Sequence, residues 1–254
     1  MILETLADVL TKNGLVAAFL LVGMLVWVSY QISEKLTRGK VHGSAIAITL
    51  GLLLAYFAGA STGGSRGVAD IGLFAGIGIM GGAMFRDFAI VATAFGADLK
   101  ELKRAGAVGA ASVVIGVVLS FFVGAVIAVA FGYTDPVSVT TIGAGAATYI
   151  VGPVTGTALG ADSSVIALSV AAGLTKSVLV MIVTPFIAPH IGLNNPHSAM
   201  IYGGLMGTTS GVAGGLAATD PKLVPYGAMT ATFYTGVGCL VAPSILFLIV
   251  RAVL

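Results

Sequence analysis

The sequence predicts an all-α integral membrane protein of about six transmembrane helices, plus two re-entrant hairpins in an inverted-repeat core. Three observations carry this. Of 254 residues, 57% are hydrophobic and 9% are charged, where soluble domains average about 25% charged. The mean hydropathy is +1.07, so a fold this poor in charge has lipid as its main solvent. Two segments rich in glycine and hydroxyls recur in the second half at a fixed spacing and suit neither a lipid-facing helix nor an aqueous loop.

Four spans are predicted in the first half, at 14–32, 44–60, 68–85 and 106–131. Each has about the length needed, at about 1.5 Å per residue, to cross about 30 Å of hydrocarbon. No small-x-small cleavage site follows the first run; Glu34, Lys35, Arg38 and Lys40 do, which suits a retained first helix. The third span carries Gly72, Gly76, Gly78, Gly81 and Gly82, which let a neighbouring backbone come close, and Arg86 and Asp87 end it. An interfacial piece at 88–96 and a charged loop at 98–104 are expected next. Two further spans follow at 163–189 and 224–253.

Between these lie the two unusual segments. Residues 135–162 hold six Ser/Thr and five Gly with no charge between the end aspartates; residues 197–220 hold five Ser/Thr and six Gly. Non-helical backbone at membrane depth survives only inside protein or along a wet cavity. The glycine- and hydroxyl-rich middles, 152–157 and 207–211, are therefore expected to be the breaks of re-entrant hairpins or broken helices. Asp135-Pro136 and Asn195-Pro196 open the two segments 60 residues apart, while Asp162/Asp220 and Pro185/Pro243 repeat at 58. A hairpin returns to its own side, so each hairpin-plus-helix unit crosses once and consecutive units face opposite ways. The domains expected are a four-helix scaffold over 1–133 and a core over 134–254, with units 134–190 and 195–254. Lys35, Arg38, Lys40, Arg86, Lys100, Lys103, Arg104 and Lys222 fall on one side of the membrane and Lys12, Arg66 and Arg251 on the other. The positive-inside rule puts both termini outside the cytoplasm.

Lys176 is the sharpest single feature, in the middle of the 163–189 span. A lysine at that depth costs about 3 kcal/mol to insert, so it faces a partner or a wet cavity. No acidic residue lies at a span centre. An unpaired midplane cation suits an anion brought from outside; the alternative is a lysine satisfied by helix-end carbonyls or a neighbouring subunit. A broken helix presents free N–H groups and about half a positive charge at its N-terminus. Thr155, Gly156, Thr157, Thr209, Ser210 and Gly211, with Lys176, are the candidate ligands of a small carboxylate. Gly152, Thr155, Thr208, Thr209 and Ser210 are the candidates for sodium, through carbonyl and hydroxyl oxygens; each could instead serve only close helix packing. Sodium held by neutral oxygens fits better than a proton relay, which would use buried carboxylates. No motif for an organic cofactor, ATP hydrolysis, a transition-metal site or enzymatic chemistry is present, and no basic patch suits nucleic acid. Cys239 is read as a packing residue, and His42, His190 and His197 as interfacial.

The chain resembles the larger membrane subunit (M subunit) of the two-subunit malonate:sodium symporter over essentially its full length. The resemblance rests on Lys12-Asn13-Gly14-Leu15 entering the first span, the segment from Ala58-Gly59-Ala60 to Gly67, Met84-Phe85-Arg86-Asp87 closing the third, and both hairpin segments. It implies sodium-coupled uptake of malonate across the inner (plasma) membrane, with a smaller membrane partner subunit; it assigns no individual ligands. The expected mechanism is alternating access in an inverted-repeat transport core. The alternatives are the membrane subunit of a sodium-translocating decarboxylase, or a channel-like or structural subunit whose partner holds the site.

Overall fold

The computed structural model describes residues 2–64, 66–80 and 99–254. Every regular element among them is helical. Among the described residues, five stretches are long and apolar enough to cross a membrane: Gly14–Leu36, Gly43–Phe74, Gly106–Ala130, Ser163–Ile187 and Pro221–Val253. The chain divides into two compact units, Met1–Ala92 and Thr93–Leu254.

The first unit opens with α1 (Ile2–Lys12), which hydropathy did not anticipate because 11 residues are too few to span. α2 (Gly14–Leu36) and α3 (Gly43–Thr62) follow. His42 caps α3 by accepting from Ser44 N–H, and Gly63 closes it in the left-handed conformation that favours glycine. The third expected span departs from a continuous helix over its described part. It forms 3₁₀ turns at Gly67–Asp70 and Gly72–Phe74, then a short helix, α4 (Gly76–Met80). Asp70 accepts from the Arg66 backbone N–H at 2.6 Å and pairs with Arg66 Nε at 3.1 Å, tying off a turn where a helix would have continued. Closely spaced glycines further lower the helical preference. The rest of that span and the interfacial piece expected at 88–96 lie outside the described residues.

The second unit begins with α5 (Leu99–Ala130), which turns at Gly106, where φ is +67°. The charged stretch expected as a loop is thus helical from Leu99 and joined to the span through that glycine. Next come α6 (Pro136–Ala147), α7 (Val151–Leu159) and α8 (Ser163–Ile187). Then follow α9 (Pro196–Met206), α10 (Thr209–Ala217) and α11 (Val224–Val241), which continues through a π-helical turn at Ala242–Leu246 into α12 (Phe247–Val253). Pro185 lies inside α8 two residues before its end, whereas Pro243 is absorbed by the π turn and ends nothing. The scaffold boundary expected at residue 133 falls inside this unit, because α5 packs along α6, α9 and α11.

The two repeats share a layout. α6 and α7 fold back on each other: a Cβ on Gly152 would stand 2.9 Å from the Gly145 Cα, and one on Gly156 2.8 Å from Thr141 Cγ2. α6 runs along α8 in the same direction, Gly145 meeting Ser169 and Tyr149 meeting Gly173, while α7 runs back with Gly156 against Ile166. In the second repeat, α9 runs with α11, so that Ala199, Gly203 and Gly207 meet Gly227, Thr230 and Tyr234 in turn. α10 returns with Val212 and Leu216 against Gly227. The arms of this second hairpin stand further apart, with Tyr202 reaching out to bond Thr184 of α8 at 2.6 Å.

The hairpins reach α5 from opposite ends. Gly124, on the C-terminal half of α5, faces Gly143 and Ala146 of α6, and Gly116 faces Gly204 and Leu205 of α9. Cβ atoms at these glycines would stand 2.3 Å from the opposing chain, so only glycine allows the approach. Ser120 lies between the two contacts. The helix starts are set by local chemistry. Asp135, Asp162 and Asn195 each accept from a backbone N–H two or three residues ahead, with Pro136 and Pro196 in first-turn positions that need no donor. Burial works to raise the Asp135 carboxyl, but hydrogen bonds from Ser138 outweigh it and hold the group below the usual carboxylate range. The Ser164 backbone and side chain do the same for Asp162.

Candidate functional site

The tips of both hairpins converge on the middle of α8. At the first, α6 ends at Ala147, the backbone becomes extended at Thr148, and α7 starts at Val151. The Val151 N–H bonds Thr148 O. Ala147 O, at the negative end of α6, accepts instead from Lys176 Nζ at 2.8 Å. The same ammonium donates to Ser120 Oγ at 2.9 Å and Tyr234 Oη at 3.3 Å, and stands 5.0 Å from the centre of the Tyr234 ring. Tyr234 is fully buried, and its hydroxyl donates a hydrogen bond to Gly116 O at 3.1 Å. Among the described residues no carboxylate bonds Lys176. Its neighbours are neutral oxygens and a ring face, so its charge is hydrogen-bonded but unneutralised.

At the second tip, Gly207 takes φ +71° and Thr208 caps α10, its Oγ1 accepting from Gly211 N–H at 3.4 Å. Thr208 also shares a short hydrogen bond with Ser177 Oγ. Consecutive residues of α8 therefore hold both tips: Lys176 the first and Ser177 the second. The hydroxyls of Thr209 and Ser210, in the first turn of α10, are buried with no partner in the structure. Buried hydroxyls are normally satisfied, so two adjacent orphans at a helix start mark oxygens available to a ligand.

The residues expected around the first break are placed differently. Gly152, Thr155, Gly156 and Thr157 lie inside α7, and the break falls at Thr148–Tyr149–Ile150. The glycine- and hydroxyl-rich composition of 152–157 does not interrupt the helix, and neither does Pro153. It sits in the first turn of α7, where a residue without an N–H is tolerated. Gly156 packs on Thr141 and Ile166, Thr157 is exposed, and Thr155 is buried with its hydroxyl unpaired. At the second tip, Thr208, Thr209, Ser210 and Gly211 lie at the break, as the sequence suggests. Ser120, Ala147, Ser177 and Tyr234 escaped sequence reasoning. The one available signal was the repeat spacing, which pairs Tyr234 with Lys176 at 58 residues.

A cavity of about 1070 Å³ opens on Lys176. Leu119, Val123, Leu168, Leu179 and Met206 are among its apolar walls; Ser120, Thr175 and Lys176 form its polar patch. An apolar vestibule ending on one cation and two hydroxyls suits a small anion more than a cation.

Inverted hairpin-plus-helix repeats around an intramembrane ionisable residue are the architecture of secondary transporters. The sequence profile of the malonate/sodium symporter MadM subunit matches residues 6–254. The chain belongs to that family and is a multi-pass membrane subunit of a malonate/sodium symporter. No curated protein and no solved structure matches it.

Proposed function

We propose that this chain carries the substrate site of the symporter and imports malonate with sodium by alternating access, working with a smaller membrane partner subunit. The observation that carries this is the position of Lys176, bonded to the tip of one hairpin, next in sequence to the residue bonded to the other, and open to a cavity. The three ammonium protons are already given to neutral oxygens, of which Tyr234 Oη is the most distant. A carboxylate entering past Thr175 is a better acceptor than any of them, because its full negative charge adds Coulombic attraction to the hydrogen bond, which neutral oxygens do not supply. Malonate docking thus draws Lys176 off Ala147 O and loosens the first tip, while Ser120 and Thr175 donate to the carboxylate oxygens. Thr209 and Ser210, with the Thr208 oxygens, are the oxygen ligands for sodium at the second tip; Thr155 is a further candidate oxygen, deeper in α7. The hairpins re-enter from opposite membrane faces, and the lysine-rich side faces the cytoplasm, leaving both termini outside the plasma membrane.

The test is malonate uptake into proteoliposomes, with this chain alone and with the small partner, with and without a sodium gradient. Saturable uptake that needs both chains and inward sodium supports the proposal. Sodium-independent or non-saturating flux overturns it in favour of a channel.

A further inference from the structure

Lys176 and Tyr234 occupy equivalent places in the two repeats, 58 residues apart, and each stands against a hairpin tip. Lys176 meets the first tip at Ala147 O. Tyr234 meets the second at Gly207, where a Cβ would stand 2.2 Å from the ring. The two side chains also touch each other, hydroxyl to ammonium and ammonium over ring. A continuous path therefore runs from the Thr208–Ser210 turn through Gly207 and Tyr234 to the ammonium. Tyr234 does not line the cavity that opens on Lys176. Its hydroxyl is held from behind by Gly116 O at 3.1 Å, which sets where the lysine can sit.

We propose that Tyr234 is a positioning residue that couples the second hairpin tip to Lys176, so that a cation bound at that tip changes how well Lys176 receives malonate. This rests on Lys176 as the anion receptor and the second tip as the sodium site. When a cation draws the Thr208–Ser210 oxygens together, Gly207 moves with them. The Tyr234 ring, packed on Gly207 with no intervening space, moves too. The ammonium follows the hydroxyl and the ring face, leaving Ala147 O for the cavity. Energetic coupling requires an element that both sites bias, and Tyr234 is in contact with both.

The test is equilibrium malonate binding to the purified two-subunit complex, with and without saturating sodium, for wild type, Tyr234→Phe, Gly207→Ala and Lys176→Met. Tyr234→Phe keeps the ring on Gly207 and removes only the hydroxyl. The expected result is that sodium tightens malonate binding to wild type about fivefold or more, and that this enhancement, read as the ratio of affinities with and without sodium, is largely lost in Tyr234→Phe. Gly207→Ala, which drives a methyl into the ring, loses the enhancement as well. Full enhancement in Tyr234→Phe overturns the proposal, and so does an equal loss of affinity with and without sodium, which makes Tyr234 a packing residue. Lys176→Met separates the two layers. Wild-type malonate binding by that variant removes the anion receptor itself. Abolished binding in Lys176→Met beside intact enhancement in Tyr234→Phe removes only the coupling.

Discussion

Lys176 Nζ lies 2.8 Å from Ala147 O, the carbonyl that ends the first arm of the first hairpin. In that one contact a mid-membrane cation closes an orphan helix end, and the same proton is available to a stronger acceptor. Replacing Lys176 with Met removes the cation and leaves Ala147 O unsatisfied, at about 1–3 kcal/mol. Sodium-driven malonate uptake is expected to fall more than tenfold, about 1.4 kcal/mol or more in transition-state terms, while membrane abundance falls much less. Uptake by reconstituted variant and wild type, normalised to protein, checks this; near-normal uptake removes Lys176 from the mechanism.

The paired orphan hydroxyls at the second tip make a separate prediction. Thr209→Ala and Ser210→Ala delete oxygens that have no structural partner, so thermal stability should hold or rise slightly. The sodium concentration for half-maximal uptake should rise several-fold. Thr208→Ala differs, because it loses the helix cap and the bond to Ser177, and it should also lower stability by about 1–2 kcal/mol. Sodium titrations of uptake beside melting curves separate the classes. Unchanged sodium dependence in Thr209→Ala and Ser210→Ala moves the cation site elsewhere.

The first hairpin depends on close approach at Gly152. A Cβ there would stand 2.4 Å from Ser169 Oγ and 2.9 Å from the Gly145 Cα, whereas one on Gly236 meets nothing within 4 Å. Gly152→Val should destabilise the protein by about 1–3 kcal/mol through overpacking, and Gly236→Ala should be neutral or slightly stabilising. Melting temperatures of the two purified variants give the comparison, and equal behaviour would sink the packing account.

Asp135 caps α6 as a carboxylate held below its ordinary range. A depressed carboxyl contributes stability above its unfolded pKa and loses it as pH falls through the folded one. The unfolded value is about 3.9, so the loss begins near pH 4 and continues below. Asp135→Asn keeps a capping side chain that does not titrate. The variant should match wild type near neutral pH and lose less stability as the pH is lowered through that window, by a small amount because Asp135 is largely exposed to solvent. Melting curves taken across the acid range measure the difference in slope.

Much of the fold was legible because hydropathy and capping are local. The spans at 14–32, 106–131 and 163–189 correspond to helices of the structure. Asp135, Asn195 and Asp162 cap helices at the repeat boundaries that the sequence spacing marks. Asp70 shows where local signals mislead. Its stretch is apolar enough to span, but its carboxylate folds back on Arg66 and the helix is not formed there. Glycine and hydroxyl content misplaced the first tip for a related reason, since Gly152 and Gly156 serve close packing inside α7 and mark no break.

By itself the sequence determined that the chain lives in a membrane, that capping and proline residues recur at a spacing of 58 to 60 in its second half, and that Lys176 lies in the middle of an apolar span. Those properties follow from composition, spacing and chain length, all one-dimensional. Only the tertiary structure decided what the lysine meets. Ser120, Ala147 and Tyr234 stand 56, 29 and 58 residues away from it. They reach it because glycines at 116, 124, 145 and 207 let three helices and two tips pack within contact of one another. Hydrogen bonds are decided at the scale of an ångström by how backbones pack, and residue spacing along a chain carries no record of that distance.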